Sequence, residues 1–371
     1  MRVLIAAGGT GGHIYPGIAI AKKIQKEHPE VQITFVGTHK GLEKDLIPKE
    51  GFPLKIIRVK GFKRKLSLDT FQSIKTLFLG LNDAKQVIKK MKPDIVIGTG
   101  GYVCGPILFM ARIQRVPTLI HEQNAFPGVT NKILSRFVDK IAISFSESEK
   151  YFKVPDKLVL AGNPIREEFK YNGKELARKK LNIPGDYWVI AVSGGSQGAL
   201  SINKSMIHVI KALKERDNVM VIHITGRNQH QEVLHLLKDE DVQLEQYPNI
   251  QVLPYSYDVA DIYQAADIIV SRSGAMTISE ITAVGRPSIL IPFPYATDNH
   301  QEFNAKVITD KHGGIMIKDC NLNGQLLLTT IEDMLSDPVK MKKMEEATSN
   351  LGILNADDIL YNEIINLMNV N

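Results

Sequence analysis

"RVLIAAGGTGGHIYPG", residues 2–17, decides how this chain is read. A short apolar run passes into four glycines within six positions (8–13), a histidine follows at once, and an apolar pattern resumes around Pro16. Apolar runs of this length, closed by glycine, read as buried strands. Pro16 suits the first turn of a helix extending to about Glu27. Strand, glycine loop and helix in that order form the opening unit of a parallel sheet covered on both faces.

Working outward, the pattern repeats. "QITFVG" (32–37), "LKIIRV" (54–59), "DIVIGTG" (94–100), "TLIHEQ" (118–123) and "KIAISF" (140–145) read as further strands, with helical patterns between several of them. The pattern then restarts at "YWVIAVSGGSQGAL" (187–200). It continues through "VMVIHITG" (219–226), "IQVLPY" (250–255), "DIIVSRSG" (267–274) and "SILIPF" (288–293). The expected fold class is α/β: two tandem Rossmann-like, doubly wound parallel-sheet domains facing a cleft. Their expected limits are 1–163 and 164–354, with a boundary near "AGNPIREEF" (161–169). The last helical pattern, from about 355 to 371, is expected to cross back to the first domain. Two domains also fit a length of 371 residues. In such sheets ligands bind beyond the carboxyl ends of the strands.

Composition narrows the class. The chain is 44% hydrophobic and 23% charged, ordinary for a globular enzyme. Two cysteines, Cys104 and Cys320, cannot make a disulfide framework, which points to a reducing compartment. The opening "MRVLIAAGGTGG" does not read as a signal peptide, because its apolar run breaks into glycine too soon. No stretch approaches the ~20 apolar residues of a membrane span. Charge is uneven: residues 1–163 carry 26 Lys+Arg against 13 Asp+Glu, and the remainder carries 20 against 27. A basic first half implies an anionic partner for that half, such as nucleic acid or anionic lipid. Nucleic acid is the weaker reading, because the lysines are not interleaved with stacking aromatics.

Neither principal glycine loop is a dinucleotide fingerprint. A G-x-G-x-x-G starting at Gly9 would need glycine at 14, where Ile14 stands. "GGSQGA" (194–199) lacks the spacing, and neither loop has the Gly-Lys-Ser/Thr of a P-loop. Both nevertheless lie between a strand and a helix, where N–H groups and the positive helix end favour an anion. "GTGGYVCGP" (98–106) is a third such loop. One loop alone would be an ordinary tight turn; three at the same edge of tandem sheets point to a phosphate-bearing ligand. In the second loop Ser196 offers a hydroxyl. Arg166 could add a charge-assisted bond to a phosphate oxygen, although alone it would read as a surface ion pair. Glu280, on the helix after "SRSG" (271–274), could accept two hydroxyl hydrogen bonds from a ribose; alone it would read as a solvated helix residue. Asn299, His300 and Gln301 precede a helix and carry side chains suited to sugar hydroxyls.

Taken together, "GGTGGHIYPG" (8–17), "GGYVCGP" (100–106), "HEQNAFPG" (121–128), "GNPIR" (162–166), "GGSQGA" (194–199) and "SRSGAMTISEI" (271–281) resemble the pattern of the MurG family. The likeness runs nearly the whole length, with the motifs in order. It implies a two-domain GT-B glycosyltransferase of bacterial peptidoglycan synthesis. Such an enzyme moves N-acetylglucosamine from UDP-N-acetylglucosamine to undecaprenyl-pyrophosphoryl-muramyl-pentapeptide. It inverts the anomeric centre and needs no metal or other cofactor. The resemblance further implies a lipid-acceptor N-terminal domain, a UDP-sugar C-terminal domain and a peripheral position on the cytoplasmic face of the cell membrane. Residue by residue, it implies that Thr10, Gly11 and Gly12 line the donor sugar and diphosphate and that Asn124 contacts the sugar. Arg166 and Ser196 reach the phosphates, and Ser256 in "PYSYDV" lies where the backbone meets uracil. Glu280 holds the ribose and Gln301 a sugar hydroxyl. His300 departs from the family pattern.

Glycosyl transfer needs a base, a stabilised oxocarbenium-like centre and a stabilised leaving diphosphate. His13 is the candidate base that the first loop presents, since imidazole titrates near neutrality. His121, Glu122 and His300 are rivals. The triplet Asp239-Glu240-Asp241 reads as a solvated helix end rather than a metal site. In 61–90, Phe71, Ile74, Phe78 and Leu81 fall on one helical face near Leu66, with Lys63, Arg64 and Lys65 beside them. Such a stripe suits an anionic membrane surface and equally suits a core. Two other readings stand beside the transferase: a UDP-N-acetylglucosamine 2-epimerase, and a non-catalytic nucleotide-sugar-binding membrane partner.

Overall fold

β1 (Arg2–Ala7) lies mid-sheet, and its alternation explains the layers around it. Val3, Ile5 and Ala7 enter one buried cluster, while Leu4 and Ala6 enter another. A strand with both faces covered must be apolar at every position, hence the unbroken "VLIAA". Each fully buried Ile or Leu of this kind contributes roughly 1.5–3 kcal/mol.

The structure, a computed structural model, describes residues 1–59, 68–171, 173–195 and 197–369, with 68–75 by backbone alone. The chain divides into two units, Met1–Ile165 with Leu354–Asn371, and Arg166–Ile353. The first holds strands β1, β2 (Gln32–Gly37), β3 (Leu54–Ile56), β4 (Ile95–Gly100), β5 (Thr118–Glu122), β6 (Lys140–Ile143) and β7 (Leu158–Leu160). They form a parallel sheet in the order β3-β2-β1-β4-β5-β6-β7. Its helices are α1 (Gly11–Glu27), α2 (Glu43–Lys49), α3 (Leu68–Met91), α4 (Cys104–Ile113) and α5 (Val129–Leu134).

The second unit begins with α6 (Glu168–Tyr171) and α7 (Lys174–Lys180). Its sheet contains β8 (Trp188–Ser193), β9 (Val219–Ile224), β10 (Ile250–Leu253), β11 (Ile268–Ser271), β12 (Ser288–Leu290) and β13 (Gly314–Met316). The order is β10-β9-β8-β11-β12-β13, again parallel throughout. The remaining helices here are α8 (Leu200–Leu213), α9 (His230–Asp239), α10 (Val259–Ala265), α11 (Ala275–Val284), α12 (His300–Thr309), α13 (Gly324–Leu335) and α14 (Pro338–Ser349). The final helix, α15 (Ala356–Asn369), packs on α1 in the first unit. Its Leu360 and Ile364 join the cluster around Ile14, Ile18 and Phe35. Two further contacts secure α15: Lys23 bridges Asp358 at 2.7 Å, and His28 Nε2 lies 2.9 Å from the Tyr361 hydroxyl.

Both sheets are the doubly wound Rossmann-like arrangement read from the sequence, as in a GT-B fold. In each, the winding direction reverses between two central neighbours: β1 and β4 in the first sheet, β8 and β11 in the second. The loops leaving those strands flank a crevice at the sheet's carboxyl edge, where ligands bind in this architecture. All the glycine loops singled out above leave one of these four strands.

Two details differ from the sequence reading. α1 begins at Gly11 rather than at Pro16, so Pro16 lies inside the helix. Proline there removes only one ladder donor, and its fixed φ remains helical. The edge strands β7 and β13, three residues each, are not among the strands read from the sequence.

Candidate active site

Starting α1 at Gly11 makes Gly11, Gly12 and His13 its first turn, with Thr10 as the extended N-cap residue. The Thr10 side chain makes no capping bond. Gly9 has φ +91°, open to a Cβ-bearing residue only at a conformational cost. The loop is held from below by a residue the sequence reading missed. Glu43, fully buried at the start of α2, accepts from Gly9 N–H at 2.9 Å and from the Thr38 N–H and hydroxyl at 2.8 Å. Burial pushes its carboxyl up, but the hydrogen bonds from Gly9 and Thr38 outweigh that and hold it below the usual carboxylate range. The signal that could have found it is its place in "GTHKGLE" (37–43), the loop after β2, which the sheet order sets beside β1.

The third glycine loop closes against the first. A Cβ on Gly101 would stand 2.3 Å from the Gly8 carbonyl oxygen, and one on Gly100 would stand 2.3 Å from His13 Nδ1. Both glycines have positive φ, +85° and +123°. Only glycine allows the β4 loop to approach this closely, and the approach is what seats the imidazole. The Thr99 hydroxyl donates to the His13 carbonyl at 2.7 Å. His13 Nδ1 lies 3.0 Å from Gln123 Oε1, so "HEQN" after β5 reaches the first loop across 110 residues.

The rivals of His13 in the first unit are placed differently. His121 is fully buried, with Nε2 2.9 Å from the Gly162 carbonyl oxygen, and burial lowers it to about 4. Glu122 is 1% exposed and accepts from Asn124 N–H and Nδ2, Gly128 N–H and Asn131 Nδ2 at 2.8–3.2 Å. Its carboxylate organises the turn that presents Asn124. His300 stands in the second unit, with Nδ1 2.7 Å from the Thr297 carbonyl oxygen.

In the second unit, the loop after β8 is shaped by packing. Gly195 and Gly198 have φ +85° and +79°. A Cβ on Gly198 would stand 2.2 Å from the Thr225 carbonyl oxygen, and one on Gly226 2.5 Å from Gly198 N. Asn203, another residue not singled out from sequence, backs this contact. Its amide donates to the Thr225 carbonyl at 2.9 Å and to Gln229 Oε1 at 2.7 Å, and its Oδ1 lies 2.9 Å from His223 Nε2. Ser196 lies outside the described residues.

Arg166 and Glu280 come together, with the guanidinium 3.8 Å from the carboxylate. Glu280 is 18% exposed, and burial pushes its carboxyl up to about 7 despite the Arg166 charge. Gln301 accepts from Phe293 N–H at 2.9 Å through Oε1, which leaves its amide nitrogen as the donor end. The backbone ahead of it is strained, since Asp298 and Asn299 are both left-handed, at φ +51° and +56°. The Ser256 hydroxyl accepts from Asp258 N–H at 3.0 Å, an internal turn bond that leads into α10. The acidic triplet sits at the end of α9, with Asp239 paired to His235 and Glu240 to Lys211.

Of the stripe in 61–90, Leu66, Lys63, Arg64 and Lys65 lie outside the described residues, as do the side chains of Phe71 and Ile74. Phe78 is 67% exposed, whereas Leu81 packs against the core cluster containing Ala84 and Ile88. Leu81, Ala84 and Ile88 follow the i, i+3, i+7 rule of a core-facing stripe, and Phe78 stands off it.

Comparison with known proteins finds matches along nearly the whole chain. Residues 3–143 match the glycosyltransferase family 28 N-terminal domain, and 189–358 match the glycosyltransferase family 28 C-terminal domain. The chain is 49% identical over 368 residues to the UDP-N-acetylglucosamine–N-acetylmuramyl-(pentapeptide) pyrophosphoryl-undecaprenol N-acetylglucosamine transferase of Acetivibrio thermocellus, covering 99% of this chain and 98% of that one. It is 45% identical to the protein of the same name in Clostridioides difficile, covering 100% and 90%. Among solved structures, the crystal structure of Acinetobacter baumannii MurG superposes with a TM-score of 0.80 at 27% identity, covering 100% of this chain and 99% of that one.

Proposed function

The chain belongs to glycosyltransferase family 28 and, within it, to the MurG transferases, and from that premise we propose how its residues carry the reaction. It transfers N-acetylglucosamine from UDP-N-acetylglucosamine to the lipid-linked muramyl-pentapeptide of peptidoglycan synthesis. The observation that carries this reading is near-half identity over almost the full length of curated transferases, joined to two glycine loops at sheet switch points.

The transfer is a single inverting displacement. An acceptor hydroxyl oxygen bonds to the anomeric carbon, the bond from that carbon to the diphosphate oxygen breaks, and UDP leaves. His13 takes the hydroxyl proton as the new bond forms. Thr10, Gly11, Gly12 and Asn124 hold the donor sugar and diphosphate region. The leaving diphosphate is stabilised by backbone N–H groups at the start of α8, with Ser196 and Arg166; preorganised donors of this kind are worth about 3–4 kcal/mol each in the transition state. Gln301 holds a sugar hydroxyl, Ser256 marks the uracil edge, and Glu280 accepts from the ribose hydroxyls. UDP release by purified protein, measured with and without a short-chain lipid-linked muramyl acceptor, tests the reaction. Acceptor-dependent release is expected. A second UDP-sugar formed from UDP-N-acetylglucosamine alone would favour an epimerase instead, and binding with no turnover a non-catalytic partner.

Glu280 gives a pH signature. Its carboxyl, raised to about 7, must be ionised to accept two hydroxyl bonds. Bound ribose therefore lowers its pKa, binding releases a proton, and affinity rises with pH. UDP-N-acetylglucosamine, whose diphosphate does not titrate in this range, is expected to bind about tenfold tighter at pH 8 than at pH 6. Glu280→Gln should flatten that profile; calorimetry showing a flat profile for the unaltered protein would remove Glu280 from the ribose site.

The enzyme works peripherally at an anionic membrane surface on the cytoplasmic side. Among the described residues, no helix is long and apolar enough to cross a membrane. Phe78 on α3 and Ile113 on α4 are exposed apolar residues on helices that pack together, with exposed Lys85, Lys89 and Arg112 on the same two helices and exposed Arg115 in the turn just after α4. Phe78→Glu is expected to weaken sedimentation with phosphatidylglycerol vesicles about tenfold without lowering the melting temperature. Binding unchanged by this substitution would take α3 out of the membrane contact.

A further inference from the structure

We propose that Gln123 and His121 are positioning residues that hold His13 as its Nδ1–H tautomer, leaving Nε2 as the atom that accepts the proton. The inference rests on the role of His13 given above and adds the device that prepares it.

The argument starts at the buried end. His121 Nε2 lies 2.9 Å from the Gly162 carbonyl oxygen, which can only accept. Nε2 therefore carries the hydrogen, and with the ring neutral in its buried place, Nδ1 is a bare acceptor. Gln123 Nε2 lies 3.0 Å from that Nδ1 and 2.9 Å from the His121 carbonyl oxygen. Both amide hydrogens are thus used on acceptors. Turning the amide over would set its oxygen against a carbonyl oxygen and a bare ring nitrogen, so two contacts fix its orientation independently. Asn163 Nδ2 fixes the Gln123 main chain by donating to its carbonyl at 3.1 Å. The Ser144 hydroxyl, 2.9 Å from Asn163 Oδ1 and 2.8 Å from the Glu122 carbonyl oxygen, ties the same layer together.

Gln123 Oε1 is consequently the atom offered to His13, 3.0 Å from Nδ1. An amide oxygen accepts only, so His13 Nδ1 must donate, and the lone pair of the neutral ring falls on Nε2. That nitrogen makes no hydrogen bond among the described residues. Gly100, whose positive φ and missing side chain leave room for the ring, keeps it in this register. An unconstrained imidazole favours the opposite, Nε2–H form. The relay therefore reverses an intrinsic preference through three side chains without placing a charge beside the base.

Two-bond proton–nitrogen correlation spectra of the full-length protein, labelled with ¹⁵N-histidine, read each ring's tautomer directly. The His13 signals are identified by their loss in His13→Ala. Expected is a protonated Nδ1 and bare Nε2 for His13, and the reverse for His121. Gln123→Met, close in volume but with only a weakly accepting thioether in place of the amide oxygen, should move His13 toward the Nε2–H form. It should also lower kcat about tenfold or more, with KM for UDP-N-acetylglucosamine little changed. An Nε2–H tautomer for His13 in the unaltered protein overturns the proposal, and so does an unchanged tautomer in a folded Gln123→Met. Should Gln123→Met fail to fold, the spectrum of the unaltered protein decides alone. A correct tautomer together with normal turnover in His13→Ala would remove His13 as base and leave the tautomer assignment standing.

Discussion

Replacing His13 with alanine is expected to lower kcat about 100-fold or more while UDP-N-acetylglucosamine affinity stays within about threefold. The size follows from what is lost. General-base assistance to a hydroxyl nucleophile is worth about 10²–10⁴ in rate, and alanine leaves no group at the loop to take the proton. Affinity for the donor is spared because the held side of the ring faces Gln123, and because the loop's own shape depends on other groups. Glu43 anchors Gly9, and Gly100 and Gly101 close the β4 loop over it. Alanine is also compatible with the first turn of α1. Steady-state rates at saturating acceptor, set beside calorimetric donor binding, separate the two quantities. A kcat within about threefold of the unaltered enzyme would exclude His13 as base. The buried placement of His121 and Glu122 would then direct attention to His300.

Gly198→Ala is expected to weaken UDP binding about 30-fold or more and to lower the melting temperature. Two costs add. The residue sits at φ +79°, where a side chain costs about 1–2 kcal/mol. The new Cβ would also stand 2.2 Å from the Thr225 carbonyl oxygen, a backbone atom held in place by Asn203. Neither partner can give way, so the loop after β8 must move. Gly195→Ala is the comparison. It shares the positive φ, +85°, but its Cβ would meet nothing within 4 Å. It should therefore incur the backbone cost alone, about 1–2 kcal/mol, and keep most of its affinity. Equal losses in the two variants, measured by UDP titration and thermal melting, would show that conformation rather than close packing shapes this loop.

The fold was largely legible because its signals are local. A buried strand such as "VLIAA" is apolar on both faces whatever it pairs with, and glycine loops mark where strand passes to helix. The misreadings were local too. Pro16 suggested a helix start because proline favours the first turn, yet α1 tolerates it at the sixth position. The stripe Phe71, Ile74, Phe78 and Leu81 could not be divided between core and surface by periodicity alone. Neighbours one turn away fall on opposite sides of that boundary, and only packing against the cluster that α3 shares with α4 shows that Leu81 faces inward.

By itself the sequence determined the two doubly wound sheets, the glycine loops at their carboxyl edges and the family to which the motifs belong. Those features are written in periodicity and in residue types whose backbone preferences act over a few positions. Only the tertiary structure decided which side chains finish the site. Glu43 beneath Gly9, Gln123 against His13 and Asn203 against Thr225 each join segments brought together by strand order. Their partners lie 34, 110 and 22 residues away. The reason is physical: a hydrogen bond is fixed by distance and direction in space, and spacing along the chain carries neither until the sheet has formed.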